Sequence, residues 1–130
     1  MADSPIVSTG QAPAPVGPYA QARWAGGLLF VSGQVGLSPE TGSLAGPGLE
    51  EQAAQALDNL QAILAAAGLG WAQVVKVTVF LTDMADFPAL NQVYGQRLAG
   101  LEAWPARACV AVAGLPAGAR VEIEAVARRG

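Results

Sequence analysis

The residues best equipped for chemistry lie near the C-terminal end. In "WPARACVAVAGLPAGARVEIEA", residues 104–125, Arg107 opens one short apolar strand, while Glu122 and Glu124 sit inside a second; a Pro-Gly turn separates the two strands. The chain has only 7 Lys and Arg in 130 residues, so a guanidinium in this setting calls for a reason. A planar guanidinium grips a carboxylate through two parallel hydrogen bonds and fixes its orientation as well as its charge. Pro105 stiffens the entry to the strand, and the small Ala106, Ala108 and Cys109 leave room for a ligand. The plainer reading is an edge-strand arginine in solvent, or one paired with a glutamate across a hairpin. Glu122 and Glu124 alternate onto one strand face, opposite Val121, Ile123 and Ala125. In an enclosed site either carboxyl would be pushed up by desolvation and could exchange protons near neutral pH. Otherwise both are solvated or paired with Arg120 or Arg128. Spacing does not choose between the two glutamates.

Four further residues draw notice. Tyr19 follows a rigid Gly-Pro in "VGPYAQ", as a core or interface aromatic would. Ser32 and Gly33 interrupt the apolar strand "FVSGQVG", where a glycine marks a bulge or a close backbone approach. Cys109 reads as a small buried hydrophobe before it reads as a nucleophile.

Composition narrows the chemistry. With no histidine and one cysteine, an intrachain disulfide, Ser-His-Asp or Cys-His catalysis, and most zinc or transition-metal sites are disfavoured. Acid–base work falls to carboxylates, Tyr, Lys, backbone groups or water. No organic cofactor is indicated either: the loop "SPETGSLAGPG" (38–48) is Gly-rich but lacks the lysine pattern of a phosphate-binding loop. The net charge of -3, a pI near 4.7 and the absence of a basic run argue against nucleic acid as a ligand. No apolar run reaches membrane-span length, and "MADSPIVSTG" lacks the basic start and apolar core of a signal peptide. A cytoplasmic protein with no membrane partner is expected, in one domain over residues 1–130.

The elements that must position these residues follow a β-β-α-β-α-β-β order. "TGQAPAPVGP" is a turn-rich lead-in. A hairpin follows, with strands near 19–25 and 28–35 about Gly26-Gly27. Leu49, Ala53, Ala56, Leu57, Leu60, Ile63 and Leu64 recur at helical spacing, with Glu50 and Glu51 in the first turn and Gly68 as the stop. "QVVKVTVFLTD" predicts a strand near 73–82. A second helix follows, capped by Asp86, with Pro88 in its first turn and Leu90, Val93, Tyr94 and Leu98 on its apolar face. The pattern predicts an α+β fold, one sheet with two helices on one face.

Strand alternation adds an expectation about assembly. Val75, Val77, Val79 and Leu81 point one way; Val74, Lys76, Thr78 and Phe80 point the other. Leu28 and Phe30 likewise oppose Leu29 and Val31, so both sheet faces are largely apolar. A helix covers a strip about 10–12 Å wide, so two helices cover one face and not both. The second face is therefore expected against another subunit, as a homo-oligomer.

"PARACVAVAGLP" followed by "VEIEAVA" resembles the C-terminal signature of the RidA family, also called the YjgF/UK114 family. "GPYAQ", "FVSGQVGLSPETG", "ALDNLQAILAAAG" and "VVKVTVFLTDMADFPALNQVYGQ" extend the likeness over nearly the whole chain. The resemblance implies a chorismate-mutase-like α+β fold, a homotrimer, and ligand clefts between subunits. It implies hydrolytic deamination of reactive 2-imino acids and their enamine tautomers, such as 2-iminobutanoate and 2-iminopropanoate, to 2-oxo acids and ammonia. By the same resemblance Arg107 holds the substrate carboxylate and Glu122 handles the attacking water. Tyr19, Ser32, Gly33, Asn91 and Cys109 match cleft positions, with Cys109 acting mainly through its backbone. Trp104 departs from the family pattern, standing where many members have phenylalanine, after a segment that is slightly shortened. Two other functions compete: a trimeric binder of 2-oxo or 2-imino acids without turnover, and the ribonuclease or translation-inhibitor activity attributed to some relatives.

Overall fold

The computed structural model describes residues 4–130. Six strands form one mixed sheet: β1 (Ile6–Val7), β2 (Ala22–Ala25), β3 (Leu28–Val35), β4 (Val74–Leu81), β5 (Ala106–Ala111) and β6 (Val121–Arg128), in the order β1-β2-β3-β6-β4-β5. Two helices, α1 (Leu49–Ala66) and α2 (Phe87–Arg97), pack on one face. All seven apolar positions of the predicted first helix are buried, and Gly68 follows it with φ +77°, a backbone conformation suited to glycine. Among the described residues no helix is long and apolar enough to cross a membrane.

Several expectations need correction. β5 and β6 are not a hairpin: β4 lies between them, parallel to β5 and antiparallel to β6. The chain between β5 and β6 must therefore step across β4, which no local turn signal reveals. The strand expected from residue 19 begins at Ala22; Tyr19 N is turned back onto Gly17 O at 2.9 Å, and the Gln21 side chain fastens the lead-in. The two-residue β1 has no periodicity to announce it. A register shift between Val74 and Lys76 turns Val75 outward, 41% exposed, while Val74 is buried. Asp86 begins α2 without a capping hydrogen bond; its carboxylate instead receives two bonds from Arg120, at 2.8 and 2.9 Å. Asp83 is the side chain that caps, accepting from Ala85 N at 2.9 Å.

The core lies between the sheet and the helices. Leu29, Val77, Val79, Leu81, Val121, Ile123 and Ala127 meet Leu57, Leu60, Ile63, Leu64 and Leu90 there. The opposite face carries Leu28, Phe30, Thr78, Phe80, Val110 and Val126 interleaved with Lys76 and Glu124. Phe30 is 47% and Val110 is 45% exposed. Among the described residues no helix covers this face.

Buried polar side chains fasten the loops. Asn59 is fully buried and donates to the carbonyls of Val35 and Leu37. Gln52 donates to Gly46 O and accepts from Arg120 N. These bonds satisfy loop backbone groups that would otherwise be buried unpaired.

Candidate functional site

The predicted site residues other than Ser32 fall into two groups on opposite sides of the sheet. Arg107 pairs in register with Val77, whose side chain is buried under the helices, so Arg107 also points to the helix side. Glu122 pairs with Phe80 and points to the other side. One strand separates their strands, and the registers are three residues apart. At about 4.8 Å per strand and about 3.3 Å per residue, their backbones lie roughly 14 Å apart, with side chains diverging.

The first group is built on α2 and the edge strand β5. Phe87, Asn91 and Tyr94 recur at i, i+4 and i+7, which places them on one helix face. The Arg107 guanidinium lies over that face, 4.8 Å from the Tyr94 ring centre and 5.7 Å from that of Phe87. Its Nη2 donates to Asn91 Oδ1 at 2.7 Å. Aromatic faces attract a cation without using its in-plane donors. Among the described residues no carboxylate pairs with Arg107, so most of its fork remains available to an anion. Cys109 shares the Arg107 face of β5. Burial pushes its thiol up, against the opposing pull of Arg107, which disfavours the nucleophilic thiolate form. Trp104, 60% exposed, stacks on Tyr94 with ring centres 6.5 Å apart. The Tyr94 hydroxyl is buried without a hydrogen-bond partner, and burial raises its pKa.

The second group lines an apolar pocket. Tyr19, Gly33 and Glu122 contribute to it, together with Pro13, Pro15 and Val16 of the lead-in, Val35 and Leu37 beyond the bulge, and Pro116 and Ala117 before β6. Gln21 holds the lead-in in place: its Oε1 accepts from Thr9 N at 2.7 Å, and its Nε2 donates to Thr9 O and Pro13 O. Val16 N donates to the Tyr19 hydroxyl at 3.2 Å. The β3 register shift between Val31 and Gln34 brings Gly33 against Glu122. Burial is the main cause that raises the Glu122 carboxyl, and the Glu124 charge raises it further. Among the described residues neither glutamate is in an ion pair; Arg120 pairs with Asp86 instead.

Ser32 stands apart from both groups. Its hydroxyl donates to Ala20 O at 2.6 Å, and it faces a shallow groove with Arg23, Phe30 and Glu124. Nothing local in the sequence gives Gln21 a role, and periodicity places Tyr94 only on the apolar face of α2. The Phe87-Asn91-Tyr94 spacing was the available signal. Pro116 and Ala117 gave none, since only the fold brings that loop to the lead-in. Among the described residues no cluster of three or more His, Cys, Asp or Glu is placed to hold a metal.

Glycine at position 33 is a requirement of this geometry. A Cβ there would lie 2.7 Å from Glu122 Cδ and 2.9 Å from its Cγ and Oε2. Gly33→Ala is therefore expected to displace the carboxylate rather than the fold. A misplacement of about 1 Å costs a catalytic group ~10²-fold in rate, so any turnover that uses this carboxylate should fall by that order while the melting temperature holds.

A mixed sheet with two helices on one face, an anion-ready arginine and a carboxyl in an apolar pocket together define the class. The chain belongs to the RidA/YjgF family, whose model, described as Endoribonuclease L-PSP, matches residues 9–129. Among curated relatives, a 2-iminobutanoate/2-iminopropanoate deaminase of Mus musculus is 50% identical over 125 residues, spanning 96% of this chain and 91% of the relative. A RutC family protein of Synechocystis is 55% identical over 123 residues, spanning 94% of each. Among solved structures, E. coli TdcF with bound serine superposes with a TM-score of 0.91 at 41% identity, covering 96% of this chain and 98% of that one.

Proposed function

We propose that this protein hydrolyses 2-imino acids to 2-oxo acids and ammonia, at sites that two copies of the chain complete together. The observation that carries the reading is Arg107: a guanidinium laid on two aromatic rings, steadied by Asn91, and without a carboxylate partner among the described residues. The deaminase relatives, at about half identity over nearly the full length, support the reaction class. The serine bound by TdcF supports a small carboxylate-bearing ligand.

The chemistry asks little of the protein. The imine carbon C2 of R–C(=NH)–COO⁻ is electrophilic, more so once nitrogen is protonated. Arg107 binds the carboxylate through two parallel bonds and fixes the plane of C2. Glu122, as carboxylate, takes a proton from water while the water oxygen bonds to C2. Glu122 then returns that proton to nitrogen, the C2–N bond breaks with its electron pair leaving on ammonia, and the C2 hydroxyl gives its remaining proton back to the Glu122 carboxylate as C2 becomes the carbonyl of the 2-oxo acid. An enamine enters the same path once it gains a proton at C3 and becomes the imine.

Reacting groups must meet within about 3–3.5 Å. Arg107 and Glu122 of one chain lie on opposite sheet faces and cannot both meet one small substrate. A second copy supplying one of them resolves this, and the uncovered apolar face offers the surface for that copy. We take the assembly to be a homotrimer, as in the family resemblance. Light scattering after gel filtration should then give three times the 13.1 kDa protomer mass. Phe30→Lys should yield monomers and lose activity together with assembly; a fully active monomer would refute the shared site.

The deciding assay couples threonine dehydratase and threonine to the protein and follows imine decay and 2-oxobutanoate appearance. Acceleration supports hydrolysis; binding of 2-oxobutanoate without acceleration would make the protein a binder instead. RNA cleavage has less behind it: the sequence has no histidine and a net charge of -3.

A further inference from the structure

We propose that the apolar pocket beside Glu122 seats the substrate side chain and favours bulky apolar 2-imino acids, branched aliphatic or aromatic, over small ones. This inference rests on the imine-hydrolysis reading of the same site.

The pocket holds about 270 Å³. An apolar cavity of ~150 Å³ takes a benzene ring, so the space far exceeds the methyl of 2-iminopropanoate or the ethyl of 2-iminobutanoate. Its walls come from Pro13, Pro15, Val16, Val35, Leu37 and Pro116, none of which offers a side-chain hydrogen bond. The polar lining is largely committed. Gln21 uses both ends of its amide on the lead-in, Gln34 Nε2 donates to Ser32 O at 3.4 Å, and the Tyr19 hydroxyl accepts from Val16 N. That leaves Glu122 as the ionisable group with reacting work to do. A polar side chain would meet few free partners on these walls, whereas an isobutyl or benzyl group would fill the space.

The walls are also set before binding. Three of them are prolines with fixed φ. Gln21 ties Thr9 and Pro13 to the start of β2, and Asn59 ties the carbonyls of Val35 and Leu37 to α1. A preformed apolar wall discriminates by ~10–200-fold per methylene at most. An isobutyl group adds three carbons to a methyl, so a tenfold preference is a modest demand.

The test uses the intact protein. An L-amino acid oxidase generates imines in situ from alanine, 2-aminobutanoate, leucine and phenylalanine, and semicarbazide competes for each imine. The expected kcat/KM for the leucine-derived imine exceeds that for 2-iminopropanoate at least tenfold. Val16→Trp, at an exposed wall position, should lower that ratio at least tenfold, and Leu37→Phe should lower it from the opposite wall. A wild-type ratio at or below one overturns the proposal. So does a parallel loss on both substrates in both variants with folding intact by circular dichroism. Acceleration of no imine at all overturns the hydrolysis reading itself, an outcome distinct from hydrolysis without selectivity.

Discussion

Arg107→Lys is expected to lower kcat/KM for 2-iminobutanoate by about 10²–10³-fold, and Arg107→Ala by more. A hydrogen bond to a charged group is worth ~1.5–3 kcal/mol, and tenfold in rate or binding corresponds to ~1.4 kcal/mol. Lysine keeps the charge but loses the second parallel bond and the flat stacking over Tyr94 and Phe87. It also cannot bond Asn91 and a carboxylate in one plane, as the guanidinium can. The same loss should appear in the affinity for 2-oxobutanoate, measured by calorimetry, because product and substrate share the carboxylate. Near-normal turnover with unchanged KM in Arg107→Ala would remove the anchor.

Glu122→Gln is expected to cut kcat by ~10²–10⁴-fold, the usual worth of positioned acid–base help, with a smaller change in 2-oxo acid affinity. Its pH behaviour follows from the raised carboxyl. The base form is lost as pH falls through that raised value, so wild-type activity should drop on the acid side earlier than an ordinary glutamate would dictate. Glu124→Gln removes a charge that raises Glu122, and should move this acid limb to lower pH. If Glu124→Gln instead abolished turnover, the proton-handling role would belong to Glu124. Stability has its own sign. Between the unfolded and the folded pKa of Glu122 the native state holds more protons, so stability falls as pH rises through that window. Above the folded value the penalty of a half-buried carboxylate is complete. Glu122→Gln should therefore melt higher than wild type at pH 7, and the difference should vanish below the unfolded glutamate value.

The two glutamates show where sequence reading stops. Their alternation on one face of β6 was legible, because strand periodicity is local. Their inequality was not. Glu122 lies under the lead-in and beside Gly33, while Glu124 faces open solvent on the uncovered sheet face. That difference depends on segments about 100 residues away in the chain. Gly33 itself was legible as a bulge or close approach, and both descriptions hold: the β3 register shifts there and Glu122 fills the space its missing Cβ leaves.

Local patterns alone determined both helices within a few residues, the hairpin about Gly26-Gly27, the strands β4 and β6, and the two-sided apolar character of the sheet. Each of these depends on side-chain period or turn chemistry over fewer than about 20 residues. Charge and composition also restricted the chemistry, since acid–base work without histidine falls mainly to carboxylates and water. Tertiary structure alone decided the order β6-β4-β5, which depends on non-local pairing that no turn signal encodes. That order turned an apparent hairpin holding Arg107 and Glu122 together into two strands with β4 between them. The registers across β4 set the arginine and the glutamate of one chain on opposite faces, which is why the proposed joint action on one substrate calls for a second copy.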